Sequence, residues 1–220
     1  MKKLFFILIF SNFFIPSAFC IDECSYIQIN PKVTVLSSYN KLNIDKTKTK
    51  QEITILAKQN NQIENDVFAN GLSNTNINFY IKLKTSSIQL SNSQYCIIPD
   101  EVTVFIGFDN PIIYLSKELE ENSCEYDIVL YHEKTHHQIN KNILDYYIPL
   151  FKSASTTIIK NIKALSVKNI DDDKKILQDY IAIYNQKLTP LVDFIKNEII
   201  KEQQKLDNIE NYKYENSICN

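Results

Sequence analysis

The chain has 220 residues, 24 basic and 26 acidic side chains, a net charge of −2 and no arginine. A near-neutral chain without arginine offers no basic stripe to a nucleic-acid backbone, so no nucleic-acid partner is expected. Its two glycines, Gly71 and Gly107, stand far apart, which excludes a glycine-rich phosphate loop, and no internal repeat is present.

Met1 to Cys20 reads as a signal peptide. Lys2 and Lys3 precede an apolar core, Leu4 to Phe10, which resumes at Phe13 to Ile15 before Pro16 breaks it. The run is too short, and too interrupted at Ser11 and Asn12, to leave a stable membrane span. Cleavage after Cys20 places Ala18 and Cys20 where small side chains are preferred. A lipid-anchored Cys20 is the alternative, disfavoured by the bulky Phe19 before it. The mature chain is therefore expected to be secreted or periplasmic. It retains Cys24, Cys96, Cys124 and Cys219, an even number that predicts two disulfides in an oxidising compartment. Three pairings are open. Cys96–Cys124 with Cys24–Cys219 is the favoured one, since it would tie the strand region to the helix that follows and join the two ends.

Ile27 to Leu36 is strand-like, with Pro31 marking an edge or bend, and Lys41 to Lys50 reads as an exposed loop. Ile53 to Ala57 reads as a short strand and Asn60 to Gly71 as a connection or short helix. From Asn76 to Leu90 the apolar Ile77, Phe79, Ile81 and Leu83 alternate with Asn78, Tyr80, Lys82 and Lys84, the pattern of a half-buried antiparallel strand. Val102 to Phe108 is denser in apolar residues and so more buried, and Ile112 to Leu115 follows an Asp109-Asn-Pro turn.

Then comes Val129-Leu-Tyr-His-Glu-Lys-Thr-His-His-Gln-Ile139, which holds the pattern H-E-x-x-H as His132, Glu133 and His136, and the chain's three histidines all lie within it. On a helix, residues four apart share one face, so both imidazoles can bind one metal ion while Glu133 reaches its water. Asn122 or Ser123 can cap this helix, Glu125 and Asp127 suit its positive first turn, and Pro149 is expected to stop it. His137, about 100° round the helix from His136, is placed for a supporting or substrate contact. After Pro149 the chain reads as helical from Leu150 to Lys168 and again from Asp171 to Leu206, with Asp171, Asp172 and Asp173 as an acidic cap. Leu177, Tyr180, Ile181, Tyr184 and Leu188 form a core-facing stripe that resumes after Pro190 with Leu191, Phe194, Ile195 and Ile199.

These residues resemble the zincins, the superfamily of zinc metallopeptidases built on the H-E-x-x-H helix. The run from Cys96 through Val102-Thr-Val-Phe-Ile-Gly-Phe108, Pro111-Ile-Ile-Tyr-Leu115 and Cys124 to the motif also resembles an uncharacterised bacterial family of secreted proteases taken to be zinc-dependent. The resemblance implies an exported zinc hydrolase with His132 and His136 as ligands and Glu133 as general base, acting on a peptide or protein substrate. It also makes Pro111 to Leu115 the candidate edge strand that would hold extended substrate.

Zinc hydrolases ordinarily use three protein ligands and keep one position for water, so a third is wanted. The metzincin continuation is excluded, because Ile139 stands where glycine is needed and Asn142 where histidine is. The gluzincin continuation wants a downstream acid, and Leu150 to Ile170 has none. The candidates are Glu198 on the apolar stripe, Asp179 on its helix's polar side and Asp145 on the far side of the motif helix.

The whole reads as an α+β protein: a small antiparallel or mixed sheet, then a zincin-like helix, then C-terminal helices. Residues 1–20 form the signal and 21–220 one domain, strand-rich over 21–118, with the metal helix at about 123–148 and C-terminal helices at about 150–206. A secreted binding or structural protein with a degenerate zincin helix, or a non-catalytic metal-binding module, is the alternative function.

Overall fold

The computed structural model describes residues 23–60, 68–90, 94–168 and 173–219, so the segment read as a signal, most of the stretch from Asn60 to Gly71 and the acids Asp171 and Asp172 lie outside it. The architecture is α+β. Strand β5 (Tyr95–Phe108) is the spine of a four-stranded sheet. β4 (Ile77–Gln89) runs antiparallel along its whole length, from Ile77 opposite Phe108 to Gln89 opposite Tyr95, with a register shift between Lys84 and Thr85. The predicted alternation holds: Ile77 and Ile81 are buried while Asn78, Tyr80, Lys82 and Lys84 are exposed. On the other edge β1 (Lys32–Ser38) pairs in parallel with the second half of β5, and β7 (Leu165–Val167) pairs antiparallel with its start. Gly107 is required here by close approach, because a Cβ would lie 1.7 Å from the Ser38 carbonyl oxygen.

A second, three-stranded sheet is formed by β2 (Asn43–Asp45), β6 (Ile112–Leu115) and β3 (Gly71–Asn74) in that order. β6 is its middle strand, parallel to β2 and antiparallel to β3. Pro111 to Leu115 is thus not an edge. The edge beside the motif helix is β3, and β6 is enclosed because the segment read as the loop Lys41 to Lys50 contributes β2.

Ile53 to Ala57 lies in a helix, not a strand: α1 spans Lys50–Gln59. Its start is a capping box, in which the Thr49 hydroxyl accepts from the Glu52 N–H and the Glu52 carboxylate accepts from the Thr49 N–H. This satisfies two otherwise orphaned donors and outweighs the β-branched run.

The motif helix α2 covers Cys124–Lys160 and starts at the Ser123 cap, whose hydroxyl accepts from the Tyr126 N–H. It runs through Pro149. A mid-helix proline costs about 3 kcal/mol. Burying Leu144, Phe151 and Ile159 on both sides of it against the large sheet more than offsets that. The chain leaves the helix at Asn161 and enters β7, so the helix read over Leu150 to Lys168 ends early.

α3 (Asp173–Leu206) lies beside α2, and Ile176, Tyr180, Tyr184, Leu188, Val192 and Ile195 bury its stripe in the same core. A short α4 (Ile209–Ser217), capped by Asn208, follows where no element was expected.

Both expected disulfides form, with the other pairing: Cys24–Cys96 and Cys124–Cys219. The N-terminal 3-10 turn, Glu23–Tyr26, sits against the start of β5 and Ala164, and the C-terminus crosses the start of α2, so the two ends never meet. Among the described residues, no helix is long and apolar enough to cross a membrane.

Candidate metal centre

His132 and His136 sit one turn apart on α2 and place their Nε2 atoms 2.9 Å from each other. Asp207, in the two-residue break between α3 and α4, brings Oδ1 to 3.2 Å from His132 Nε2 and 3.1 Å from His136 Nε2. These are the only three His, Cys, Asp or Glu side chains among the described residues that gather like this.

Each ring is anchored through its other nitrogen. His132 Nδ1 faces the Glu215 carboxylate at 3.0 and 3.1 Å. His136 Nδ1 faces Gln203 Oε1, and Gln203 is oriented by donating its amide to the His136 carbonyl at 3.0 Å and to Asn140 Oδ1. With acceptors there, the protons sit on Nδ1. The two Nε2 lone pairs then converge with a carboxylate oxygen, an arrangement that repels itself unless a cation lies between.

In a tetrahedral site with bonds of about 2.0–2.1 Å, donor atoms are spaced by about 3.3 Å, close to the triangle here. The donor set has the spacing to hold a metal ion. A proton is the other cation that can serve. Burial opposes charge on His132, yet the hydrogen bonds it donates to Asp207 and Glu215 outweigh that and raise its pKa to about 9. His136 is raised too, because Asp207 overcomes its burial. The Asp207 carboxyl, although its burial works the other way, is held well below the usual carboxylate range by both histidines and by the Tyr212 hydroxyl, which donates to Oδ1 at 2.7 Å. A metal bound here would have to compete with that proton.

Glu133 points toward β3. It is 7% exposed, takes a hydrogen bond from the Ser73 backbone, and lies so close to β3 that a Cβ on Gly71 would come within 2.7 Å of its Cγ. Burial pushes its carboxyl up, and the neighbouring His136 and His132 pull it only part of the way back.

The sequence thus located two of the three converging donors, and none of its candidates for the third is there. Glu198 pairs with Lys201 and lies 3.5 Å from the Tyr147 hydroxyl, Asp145 accepts from the Tyr39 hydroxyl, and Asp179 lines a groove beside Leu165 and Val167. His137 faces Thr75 at 3.3 Å and the Phe108 ring, away from the cluster. Asp207 stands 75 residues beyond His132. Its one local signal was the Asp207-Asn208 pair, a helix break between two charged helical runs.

The H-E-x-x-H helix and Asp207 thus bring together a His-His-Asp group that could hold a metal ion. The chain matches no protein-family model, no curated protein and no solved structure with which it was compared.

Proposed function

We propose that this chain is an exported, zinc-dependent hydrolase acting on peptide bonds. The observation that carries the reading is the convergence of His132 Nε2, His136 Nε2 and Asp207 Oδ1 beside a buried Glu133 whose carboxyl burial keeps basic. His132, His136 and Asp207 would hold the zinc, with Glu215 and Gln203 fixing the two imidazoles. Zinc in such a site lowers the pKa of a bound water and polarises a carbonyl. Glu133 would take the water's proton on its carboxylate and deliver it to the leaving amine, and its desolvated setting raises its basicity for that task. An extended substrate would lie along β3, the sheet edge beside α2. The two disulfides support an oxidising compartment.

One observation favours a second reading, a non-catalytic metal-binding module: α4 crosses the centre, with the Tyr212 ring stacked on His132 at 5.3 Å. The experiment that separates them is zinc content and hydrolysis of a mixed peptide library. Purified protein should carry about one zinc per chain, lost in His132→Ala, His136→Ala and Asp207→Ala, since removing one of three ligands leaves too few for tight binding. Zinc without any hydrolysis under every condition tried would select the module, and no zinc in the wild type would reject both.

A further inference from the structure

Helix α4 is held in an unusual way for an element that touches a buried centre. It buries none of its own residues. Ile209 and Tyr214, its large apolar side chains besides Tyr212, are 72% and 67% exposed, so no hydrophobic face fastens it to the body. Its contacts with the centre are two polar contacts and one ring stack: Tyr212 donating to Asp207, Glu215 on His132 Nδ1, and the Tyr212 ring on His132. Asn211 donates to Glu215 at 3.0 Å and aims that carboxylate. α4 is also fastened by the chain at Asp207 and, at its far end, by the bond from Cys219 to Cys124 in the first turn of α2. Both of those cysteines are solvent-exposed, whereas Cys24 and Cys96 are fully buried.

We propose that α4 is a strap that completes the metal centre through Glu215, a positioning residue for His132, and that the exposed Cys124–Cys219 disulfide is its clasp. This rests on the metal-binding part of the function proposed above and not on hydrolysis. A carboxylate on the distal nitrogen of a ligating histidine fixes the ring's tautomer and direction, and its loss ordinarily costs about 10–100-fold in metal affinity. Opening the clasp gives up that contact. A dithiol reductant supplies the two electrons and two protons: the Cys124–Cys219 bond breaks to two thiols and the dithiol leaves as its disulfide. The exposed pair is reached first, and the buried pair survives mild reduction.

The test is zinc affinity, read by competition with a chromophoric chelator, for the full oxidised chain, Glu215→Ala, Cys124→Ser/Cys219→Ser and the triple variant. Glu215→Ala and the double serine variant should each weaken zinc binding by about 10–100-fold, and the triple variant should be hardly weaker than either. Glu215→Gln, which keeps an acceptor, should recover part of the loss. Losses that multiply in the triple variant, or a double serine variant with wild-type affinity, would overturn the clasp. Should the serine variant fail to fold, mild dithiol treatment of the folded wild type decides. Thiol labelling should find Cys124 and Cys219 first, with zinc released faster in step, and zinc release unchanged after those two are labelled overturns the proposal. Oxidised wild type that binds no zinc would instead remove the metal centre itself.

Discussion

The two halves of α2 are built from the same helical geometry and do opposite things. From Leu144 to Ile159 the inward face is Leu144, Phe151 and Ile159, with the small Ser155 between them, packed on α3 and the large sheet. From His132 to Asn140 the inward face is His132, Glu133 and Asn140, and its partners are hydrogen bonds and charges. Burying apolar area stabilises a fold without regard to direction, whereas burying imidazoles and a carboxylate costs free energy unless every group is met. The first half holds the fold together. The second is stabilised only because β3, α3 and the α4 strap bring partners to it, and that makes it the region where a bound cation would change the energetics most.

The largest effect should come from the apolar half. Phe151→Ala should lower unfolding free energy by about 3–5 kcal/mol, through lost burial and a residual cavity. Denaturant titration would show it, and the folded fraction should still bind zinc. Loss of zinc without loss of stability would show that the halves are not separate.

Glu133→Gln probes the polar half. It keeps size and polarity but not basicity, so hydrolysis should fall at least about a hundredfold, the low end of general-base catalysis. Zinc content and melting temperature should stay put. A variant that melts early would make Glu133 a structural partner of buried charge.

Gly71→Ala tests the seam between α2 and β3. The new methyl meets Glu133 and Val129 at 2.7 Å, so overpacking should cost about 1–3 kcal/mol. Peptide hydrolysis should drop as Glu133 is displaced, with zinc retained.

The smallest effects are expected at two stacked tyrosines of α3. Tyr180 donates to the Ile97 carbonyl at 2.7 Å and accepts from the Leu165 N–H at 3.0 Å, whereas the Tyr184 hydroxyl has no partner among the described residues. Tyr180→Phe should cost about 1–3 kcal/mol by leaving buried backbone groups unmet, and Tyr184→Phe about nothing. Burial raises the Tyr180 hydroxyl from 10.0 to about 12. A raised folded pKa means its contribution is complete below pH 10 and is lost as pH climbs through about 12. Tyr180→Phe should therefore flatten the alkaline fall in stability measured by circular dichroism. An unchanged slope would assign that fall to other groups.

What the sequence by itself determined is whatever depends on neighbours in the chain. Residues four apart share a helix face, so His132 and His136 had to point together, and strict alternation had to give β4 one buried side. The capping box at Thr49 and Glu52 was equally local, though the β-branched residues inside α1 masked it. The path of the chain decided the rest. Asp207 reaches the histidines only because α3 packs along α2 for its whole apolar stripe and then breaks beside them, and Glu215 only because Cys219 is tied to Cys124. The disulfide partners, the middle position of β6 and the passage of α2 through Pro149 share that origin. Each depends on how much surface distant segments bury together, a quantity that no local periodicity carries.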